Sequence, residues 1–350
     1  RLRNAFAAIK ADGSVVTWGN AEYGGDSSAV APLLTEGVVQ FCGTQYAFAA
    51  IKANGSVVTW GDDRYGGDSS ADAPLLEEGV VQVFGTDGAF AAITADGSVV
   101  TWGDAGCGGN SSTSDVASLL TDGVVQICGT CGAFAAIKAN GSVVTWGNAY
   151  SAVVPPRNLP FGASCGEDSS AVASLLSEGV VHICGAQYAF AAIKANGSVV
   201  TWGDAGYGGN SSEVAPHLAG VAQVCGACGA FAAIKADGSV VTWGHARSGG
   251  SSSAVAPLVV GVVQVSGSHN AFAAIKANGS VVTWGDDRYG GDSSMVGPLL
   301  EEGVVQVFGT DEAFAAIKAD GSVVTWGNAG CGGDSSAVSA LLTEGVFQVC

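Results

Sequence analysis

One 15-residue segment recurs eight times along the chain with few changes. Its first copy runs from Ala5 to Gly19, and every copy ends in Thr-Trp-Gly. The motif contains all eight tryptophans of the protein, at positions 18, 60, 102, 146, 202, 243, 284 and 326, so the spacings are 42, 42, 44, 56, 41, 41 and 42 residues. A period near 42 is typical of propellers and solenoids, in which each unit packs against its neighbours, and it argues against a single enzyme fold.

The sequence within one repeat predicts three β-strands. Residues 38–42 form a β-branched run, residues 47–53 an apolar run, and residues 56–60 a third run that ends in Trp60. Asn54-Gly55 joins the last two runs, and both Asn-Gly and the Asp-Gly of other copies favour a two-residue type I′ hairpin turn. Because the strands are apolar on both faces, each sheet needs a neighbouring sheet on either side, with the repeated tryptophan between them.

We therefore predict an all-β fold, a closed β-propeller of eight repeats of about 42 residues. Seven blades or an open array are the alternative architectures. The run Val346-Phe347-Gln348-Val349-Cys350 matches the first strand of a repeat, and the chain begins just before a second strand. We expect this C-terminal strand to complete the terminal blade and close the ring, which removes the free sheet edges. Residues 1–350 then form a single propeller domain, with residues 150–164 as an insertion loop between the fourth and fifth repeats.

The repeat resembles that of the regulator of chromosome condensation family. The resemblance rests on the order Val-Val-Gln-Val-Cys-Gly, Ala-Phe-Ala-Ala-Ile-Lys-Ala-Asp-Gly and Ser-Val-Val-Thr-Trp-Gly, followed by a Gly-rich segment such as residues 23–26. It covers essentially the whole chain, and near-identical copies of this kind are similar to arrays in algal proteins labelled as HECT-type ubiquitin ligases. The resemblance implies a protein-binding propeller whose function varies with its loops. The family ring usually has seven blades, whereas this chain carries eight repeats.

Composition and charge narrow the classes of partner. Hydrophobic residues make up 48% of the chain, which is too apolar for a disordered protein. Asp and Glu number 31 against 13 Lys and Arg, a formal net charge of −18. This charge disfavours nucleic acid and anionic membranes as partners, and no apolar run approaches the roughly 18 residues that span a bilayer. We expect an acidic, soluble protein that inserts in no membrane. Because the chain begins Arg1-Leu2-Arg3, we also expect a processed product, or a subunit or fragment of a larger assembly.

The chain contains no recognisable catalytic or metal-binding motif. Its four histidines occupy four different positions of the repeat, so we do not expect them to converge. Two C-x-x-C pairs occur, at Cys128/Cys131 and Cys225/Cys228, and a zinc site or a redox pair is the alternative to coincidence within the repeat. We predict no enzymatic activity, no cofactor and no metal. The cysteine spacing is unlike the disulfide framework of a small secreted domain, which favours a reducing intracellular compartment.

Binding residues are expected where the otherwise near-identical copies differ. Strand direction places the loop after the first strand and the segment after Trp-Gly on one face, and both segments vary among copies. Tyrosine and arginine, the residue types that anchor interfaces, recur there. The candidate partner-binding residues on this face are Tyr23, Tyr46, Arg64, Tyr65, Tyr188, Tyr207, Arg288 and Tyr289. The insertion adds Pro155, Pro156 and Phe161 as a stiff, partly apolar candidate site. Neutral drift of surface loops is the competing explanation for this variation.

These observations predict a non-catalytic scaffold that binds protein partners through its variable loop face. One alternative is a guanine nucleotide exchange factor or the substrate-binding part of a ubiquitin ligase, because the resembled family includes an exchange factor for the GTPase Ran and propeller segments of such ligases. A further alternative is a multivalent lectin, because repeated blades present repeated pockets.

Overall fold

The chain folds into short antiparallel strands that follow the sequence repeat. The computed structural model describes residues 5–10, 12–111, 116–147, 165–253 and 258–336. In chain order the strands are β1 (Ala5–Ile9), β2 (Val15–Gly19), β3 (Val38–Gly43), β4 (Ala47–Lys52), β5 (Val57–Gly61), β6 (Val80–Gly85), β7 (Ala89–Thr94), β8 (Val99–Gly103), β9 (Val124–Gly129), β10 (Ala133–Lys138), β11 (Val143–Gly147), β12 (Val180–Gly185), β13 (Ala189–Lys194), β14 (Val199–Gly203), β15 (Val221–Gly226), β16 (Ala230–Lys235), β17 (Val240–Gly244), β18 (Val262–Gly267), β19 (Ala271–Lys276), β20 (Val281–Gly285), β21 (Val304–Gly309), β22 (Ala313–Lys318) and β23 (Val323–Gly327).

Within the described part of the chain, the strands form seven three-stranded antiparallel sheets and one two-stranded sheet, β1–β2. In each three-stranded sheet the second strand of the repeat is central, as in β3–β4–β5 and β6–β7–β8. This arrangement confirms the prediction of an all-β fold built from repeated three-stranded antiparallel sheets, the kind of sheet from which propeller blades are made.

The hairpin turn differs from the predicted one. Gly55 N–H donates to Lys52 O at 2.8 Å and Lys52 N–H to Ser56 O at 2.9 Å, and Gly55 has φ +80° whereas Asn54 does not have a positive φ. A type I′ turn requires positive φ at both central residues, so the two-residue turn is wrong. The chain instead makes a three-residue turn that ends on a left-handed glycine. Asn54 Oδ1 accepts from Ser56 N and Ser56 Oγ, which explains why Asp or Asn fits this position.

The central strands are buried on both faces, as the sequence predicts. In β7 the five residues from Ala89 to Ile93 are at most 4% exposed. Successive sheets share the apolar clusters between them: one cluster unites Ala89 and Ala91 of β7 with Phe134 of β10 and Trp146 of β11. The core is therefore divided into repeated layers, each between two neighbouring sheets.

The repeated tryptophans join neighbouring repeats by a hydrogen bond as well as by packing. Within the first half of the chain, the indole N–H of Trp60, Trp102 and Trp146 donates to the carbonyl of Gly24, Gly66 and Gly108, respectively, at 3.0–3.2 Å. Trp243, Trp284 and Trp326 donate in the same way to Gly208, Gly249 and Gly290. These six indoles are 3–4% exposed, whereas Trp18 of the first repeat is 50% exposed.

Among the described residues, helical structure is confined to segments of three to six residues in the connections. One four-residue α-helix covers Ala73–Leu76. The 3-10 turns cover Ala21–Tyr23, Ser28–Leu33, Asp63–Tyr65, Ser70–Asp72, Ala105–Cys107, Ala117–Leu119, Ser170–Val172, Ala205–Tyr207, Ala215–His217, Ala246–Ser248, Asp287–Tyr289, Ser294–Leu299 and Ala329–Cys331. Among the described residues no helix is long and apolar enough to cross a bilayer.

The chain divides into two compact units, Arg1–Ile183 and Cys184–Cys350, with the division inside β12. In the first unit the first strands of successive repeats are neighbours, β3 beside β6 and β6 beside β9; in the second unit β15 lies beside β18 and β18 beside β21. The predicted insertion at 150–164 and the predicted closing strand at 346–350 lie outside the described residues.

Candidate partner-binding face

Two segments of each repeat meet at one end of its sheet, as strand direction predicts. One is the loop after the first strand, and the other is the 3-10 turn after Trp-Gly. In the second repeat the N–H of Asp62 donates to Tyr46 O at 3.0 Å, and the hydroxyl of Thr44 to Tyr65 O at 3.4 Å. In the third repeat the hydroxyl of Thr86 makes the corresponding bond to the carbonyl of Cys107 at 2.9 Å. We call this end of the sheets the loop face.

Main-chain hydrogen bonds also connect the loop face from one repeat to the next. In the first unit Gln45 N–H donates to Asp87 O at 2.9 Å, and Asp87 N–H to Cys131 O at 3.1 Å. In the second unit the same positions give Gln187 to Cys228, Cys228 to His269 and His269 to Asp311, at 2.7–2.9 Å. We call these two series the loop ladders. They fix the backbone at the positions where the copies differ most in side chain.

Three candidate tyrosines form one aromatic cluster on the loop face of the first unit. The Tyr46 ring lies between the other two, 4.9 Å from the Tyr23 centroid and stacked at 4.3 Å on Tyr65. Arg64 lies over the Tyr65 ring, with its guanidinium carbon 5.5 Å from the centroid. The three rings are half-buried and the Arg64 side chain is 71% exposed. We call these four residues the tyrosine cluster. It brings together half of the candidate residues predicted on this face.

An ion pair holds Arg64 in place over the cluster. Its Nε and Nη2 donate to the two carboxylate oxygens of Asp62 at 3.0 and 2.6 Å, and Asp62 Oδ1 also accepts from Arg64 N. The Arg64 hydrogen bonds hold the pKa of Asp62 below its usual value, and Asp62 in turn raises the pKa of Arg64. Burial, with the neighbouring Tyr46, raises the pKa of Tyr65. A guanidinium fixed by a two-point carboxylate contact loses little further freedom when a partner binds.

A second group occurs in the second unit around Tyr289. His269 stacks on its ring at 5.6 Å, the guanidinium carbon of Arg288 lies 5.7 Å from its centroid, and Arg288 donates to both oxygens of Asp286 at 3.0 and 2.8 Å. The seventh repeat thus reproduces the Asp-Asp-Arg-Tyr arrangement of the second, with an imidazole in place of the stacked phenol. His269 was not among the predicted binding residues. Its aromatic ring at a variable loop position is the signal that would have found it.

The remaining tyrosine pair is less accessible than the sequence suggests. Tyr188 and Tyr207 contact edge to face, with ring centroids 4.6 Å apart. Tyr188 is 3% exposed, so its ring is part of the packing of the loop and is not available to a partner. Pro155, Pro156 and Phe161, the candidates on the insertion, lie outside the described residues.

The C-x-x-C cysteines do not form a metal site among the described residues, where no group of three or more His, Cys, Asp and Glu side chains is placed to hold an ion. Cys128 and Cys225 each have their sulfur near the carbonyl of the following glycine, at 3.9 and 3.7 Å. Cys228 instead contacts Gln187 Oε1 on its loop ladder, at 2.5 Å.

No model of a protein family matches the chain, and no curated protein matches it. The chain shows distant similarity to solved structures. In a structure of Kap60 bound to yeast RCC1 (Prp20), the similarity covers 83% of this chain and 70% of that chain, at 15% identity and a TM-score of 0.46. The similarity to the CRINKLY WD40 ectodomain of the Arabidopsis thaliana receptor kinase ACR4 covers 81% of this chain and 93% of that chain, at 16% identity and a TM-score of 0.45. The similarity to the computationally designed protein Ika8 covers 92% of this chain and 93% of that chain, at 13% identity and a TM-score of 0.40. Membership of the regulator of chromosome condensation family and the link to HECT-type ligases stay predictions.

Proposed function

We propose that this protein is a non-catalytic interaction scaffold that binds a protein partner through its loop face. The observation that supports it most is the tyrosine cluster, in which the Tyr46 ring packs between Tyr23 and Tyr65 beside an exposed, ion-paired Arg64. Tyrosine and arginine contribute a large share of the binding energy in protein interfaces, because they offer area and hydrogen bonds on few rotatable bonds. Their mutual contacts order them before a partner arrives, so binding loses less side-chain entropy.

Charge indicates the kind of partner surface that this site suits. The ring faces offer an apolar and cation–π contact, whereas Glu22 and Asp63 beside them are exposed carboxylates. The net charge of −18 adds a long-range field of the same sign. A partner with an apolar centre and a rim of lysine or arginine would be complementary both at contact and during approach.

Replacing Arg64 and Tyr65 together by alanine should weaken partner binding at least tenfold, because both the stacked ring and the cation above it are lost. Full-length wild-type and variant chains are immobilised and incubated with native extract, and the retained proteins are quantified by mass spectrometry. Proteins that are enriched on wild type are then purified, and their affinity for both chains is measured. The unfolding midpoint of the variant is measured in parallel, since both side chains lie on a surface turn and should leave it within a few degrees.

Arg247→Ala is the matched control, because Arg247 holds the same position of the repeat as Arg64. At the position of Asp62 it has His245, whose side chain makes no cap hydrogen bond, and a serine stands in place of Tyr65. Its capture profile should equal that of wild type. Equal capture by the double variant and wild type would remove the loop-face proposal. A captured small GTPase whose nucleotide release the chain accelerates would establish the exchange-factor alternative, and specific signals on a glycan array would establish the lectin.

We further propose that the eight repeats close into one ring, with residues 346–350 as the missing first strand of the β1–β2 sheet. Support comes from the repeat itself: Cys350 corresponds to Cys42, and in the second repeat Cys42 lies opposite Ala49 on the central strand. The residue that corresponds to Ala49 in the first repeat is Ala7. Closure would therefore place Cys350 opposite Ala7, about 5 Å apart between Cα atoms.

The variant Ala7→Cys should then form a disulfide with Cys350 under mild oxidation, because directly opposed strand residues fall within disulfide geometry. Mass spectrometry of the unreduced digest identifies the cross-linked peptides at micromolar protein concentration. The double variant Ala7→Cys/Cys350→Ser serves as the control. An Ala7→Cys protein whose Cys350 alkylates as fast as in wild type would contradict closure and favour the open array.

A further inference from the structure

Two cysteines from different parts of the fourth repeat meet beneath the loop face. Cys131 lies in the loop between β9 and β10, and Cys165 lies in the connection between β11 and β12. Their sulfur atoms are 2.7 Å apart, and each residue is 8% exposed. The C-x-x-C motif pairs Cys131 with Cys128 in sequence, whereas the structure places Cys131 against a cysteine 34 positions away.

The backbone on both sides of this contact is held by hydrogen bonds. The Thr130 hydroxyl donates to Cys165 O at 2.8 Å, and Cys165 N–H donates to a carboxylate oxygen of Glu167 at 2.9 Å. The carbonyl of Cys131 accepts from Asp87 N–H on the loop ladder. The Thr130 bond and the loop-ladder bond recur at the matching positions of other repeats. The proximity of the two thiols therefore follows from the repeat geometry and from having cysteine at both positions. The second and third repeats have Gln45 with Tyr65 and Asp87 with Cys107 at these two positions.

We propose that Cys131 and Cys165 are an oxidation site that forms an intramolecular disulfide when the protein meets a small peroxide. One thiolate attacks the O–O bond of hydrogen peroxide, so that its sulfur is oxidised to a sulfenic acid and hydroxide leaves and takes up a proton as water. The second thiolate then attacks the sulfenic sulfur, the S–S bond forms, and the sulfenic oxygen leaves as a second water. In sum, two thiols and one hydrogen peroxide give one disulfide and two waters. A thiol excess, such as glutathione, reverses the reaction by exchange.

The competing disulfide within the C-x-x-C motif has less support. Cys128 lies on β9 opposite Ala135, and its sulfur is directed to the carbonyl of Gly129 at 3.9 Å. Cys131, three residues later, lies in the loop with its sulfur at Cys165. A Cys128–Cys131 bond would therefore have to replace a contact that the folded chain already makes.

The bond would tie the chain around Cys165, which leads into β12, covalently to the loop ladder of the first unit. It would close a chain of 34 residue steps that includes β10, β11 and residues 150–164. Cross-linking a loop of this length restricts the unfolded chain, so we expect oxidation to raise the Tm of the transition that includes this unit by about 5–10 °C.

To test this proposal, the reduced full-length chain is treated with one equivalent of hydrogen peroxide, and residual peroxide is removed with catalase. The remaining thiols are then counted by alkylation in denaturant. Wild type should lose two alkylation sites and 2 Da of mass, and peptide mapping should link Cys131 to Cys165. The loss should disappear in Cys131→Ser and Cys165→Ser and persist in Cys128→Ser. The rise in Tm should follow the same pattern.

Other outcomes would overturn the proposal. A two-site loss that persists in Cys165→Ser but disappears in Cys128→Ser would assign the oxidation to the C-x-x-C motif. Unchanged alkylation of wild type after peroxide treatment, or over-oxidation of either sulfur to sulfinic acid without a linked peptide, would show that the two thiols do not react with each other. The proposal does not depend on the loop-face partner, since its readouts are thiol count, linkage and Tm.

Discussion

Replacing Phe134 by alanine should lower the free energy of unfolding by about 3–5 kcal/mol. Phe134 is 0% exposed and stacks on Trp146 at a centroid distance of 5.3 Å. It packs in the layer between β7 and β10, against Ala89 and Ala91 of the preceding sheet. Small side chains on that sheet cannot fill the space that the ring leaves, because alanine has no rotamers with which to relax. Urea unfolding followed by tryptophan fluorescence measures the loss.

Val125→Ala is the matched control for this variant, since it also removes an apolar side chain from the fourth repeat. Val125 is 57% exposed at the start of β9, so its truncation should change stability by no more than about 0.5 kcal/mol. Phe134→Leu should fall between the two. Losses of similar size for Phe134→Ala and Val125→Ala would mean that the inter-sheet layers do not determine the stability of this chain.

The strands of this protein can be predicted from sequence because the repeat shows the same pattern eight times. A β-branched first strand, an apolar second strand and a Trp-Gly third strand all lie where the sequence predicts them. The hairpin turn is different: Asn54-Gly55 suggested a two-residue turn, and the chain forms a three-residue one. The same dipeptide serves both turns, and the choice depends on whether Lys52 N–H bonds to Ser56 O, which single-residue preferences do not determine.

The candidate site was only partly predictable for a related reason. Strand direction suffices to place the two variable segments at one end of each sheet. It does not determine burial there: Tyr46 and Tyr188 follow the same residue, Gln, in the same loop, yet Tyr46 is half-buried between two rings and Tyr188 is 3% exposed. Their surroundings come from adjacent repeats, whose side chains vary. The contact between Cys131 and Cys165 lies within one repeat, and it depends on both variable segments at that end of the sheet having a cysteine.

The second large effect that we expect is that Gly66→Ala lowers the free energy of unfolding by about 2–5 kcal/mol. Gly66 has φ +95°, a left-handed conformation that costs other residues about 1–2 kcal/mol. A Cβ at this position would lie 2.6 Å from the Phe90 ring and 3.3 Å from Trp102, so the neighbouring sheet would have to move, at a further cost of about 1–3 kcal/mol. The shift would also strain the hydrogen bond from Trp102 Nε1 to the Gly66 carbonyl, which is 3.2 Å long. Urea unfolding of the full chain measures the change.

Gly79→Ala separates the two causes, because Gly79 has a similar backbone angle, φ +75°, but nothing lies within 4 Å of a Cβ built there. This variant should therefore lower the free energy of unfolding only by what the left-handed backbone costs alanine, about 1–2 kcal/mol. The difference between the two variants measures how tightly the turn after one Trp-Gly fits the Phe–Trp stack of the next repeat. If both glycines cost the same, backbone conformation alone would account for the glycine after each 3-10 turn, and the close fit between repeats would contribute nothing to stability.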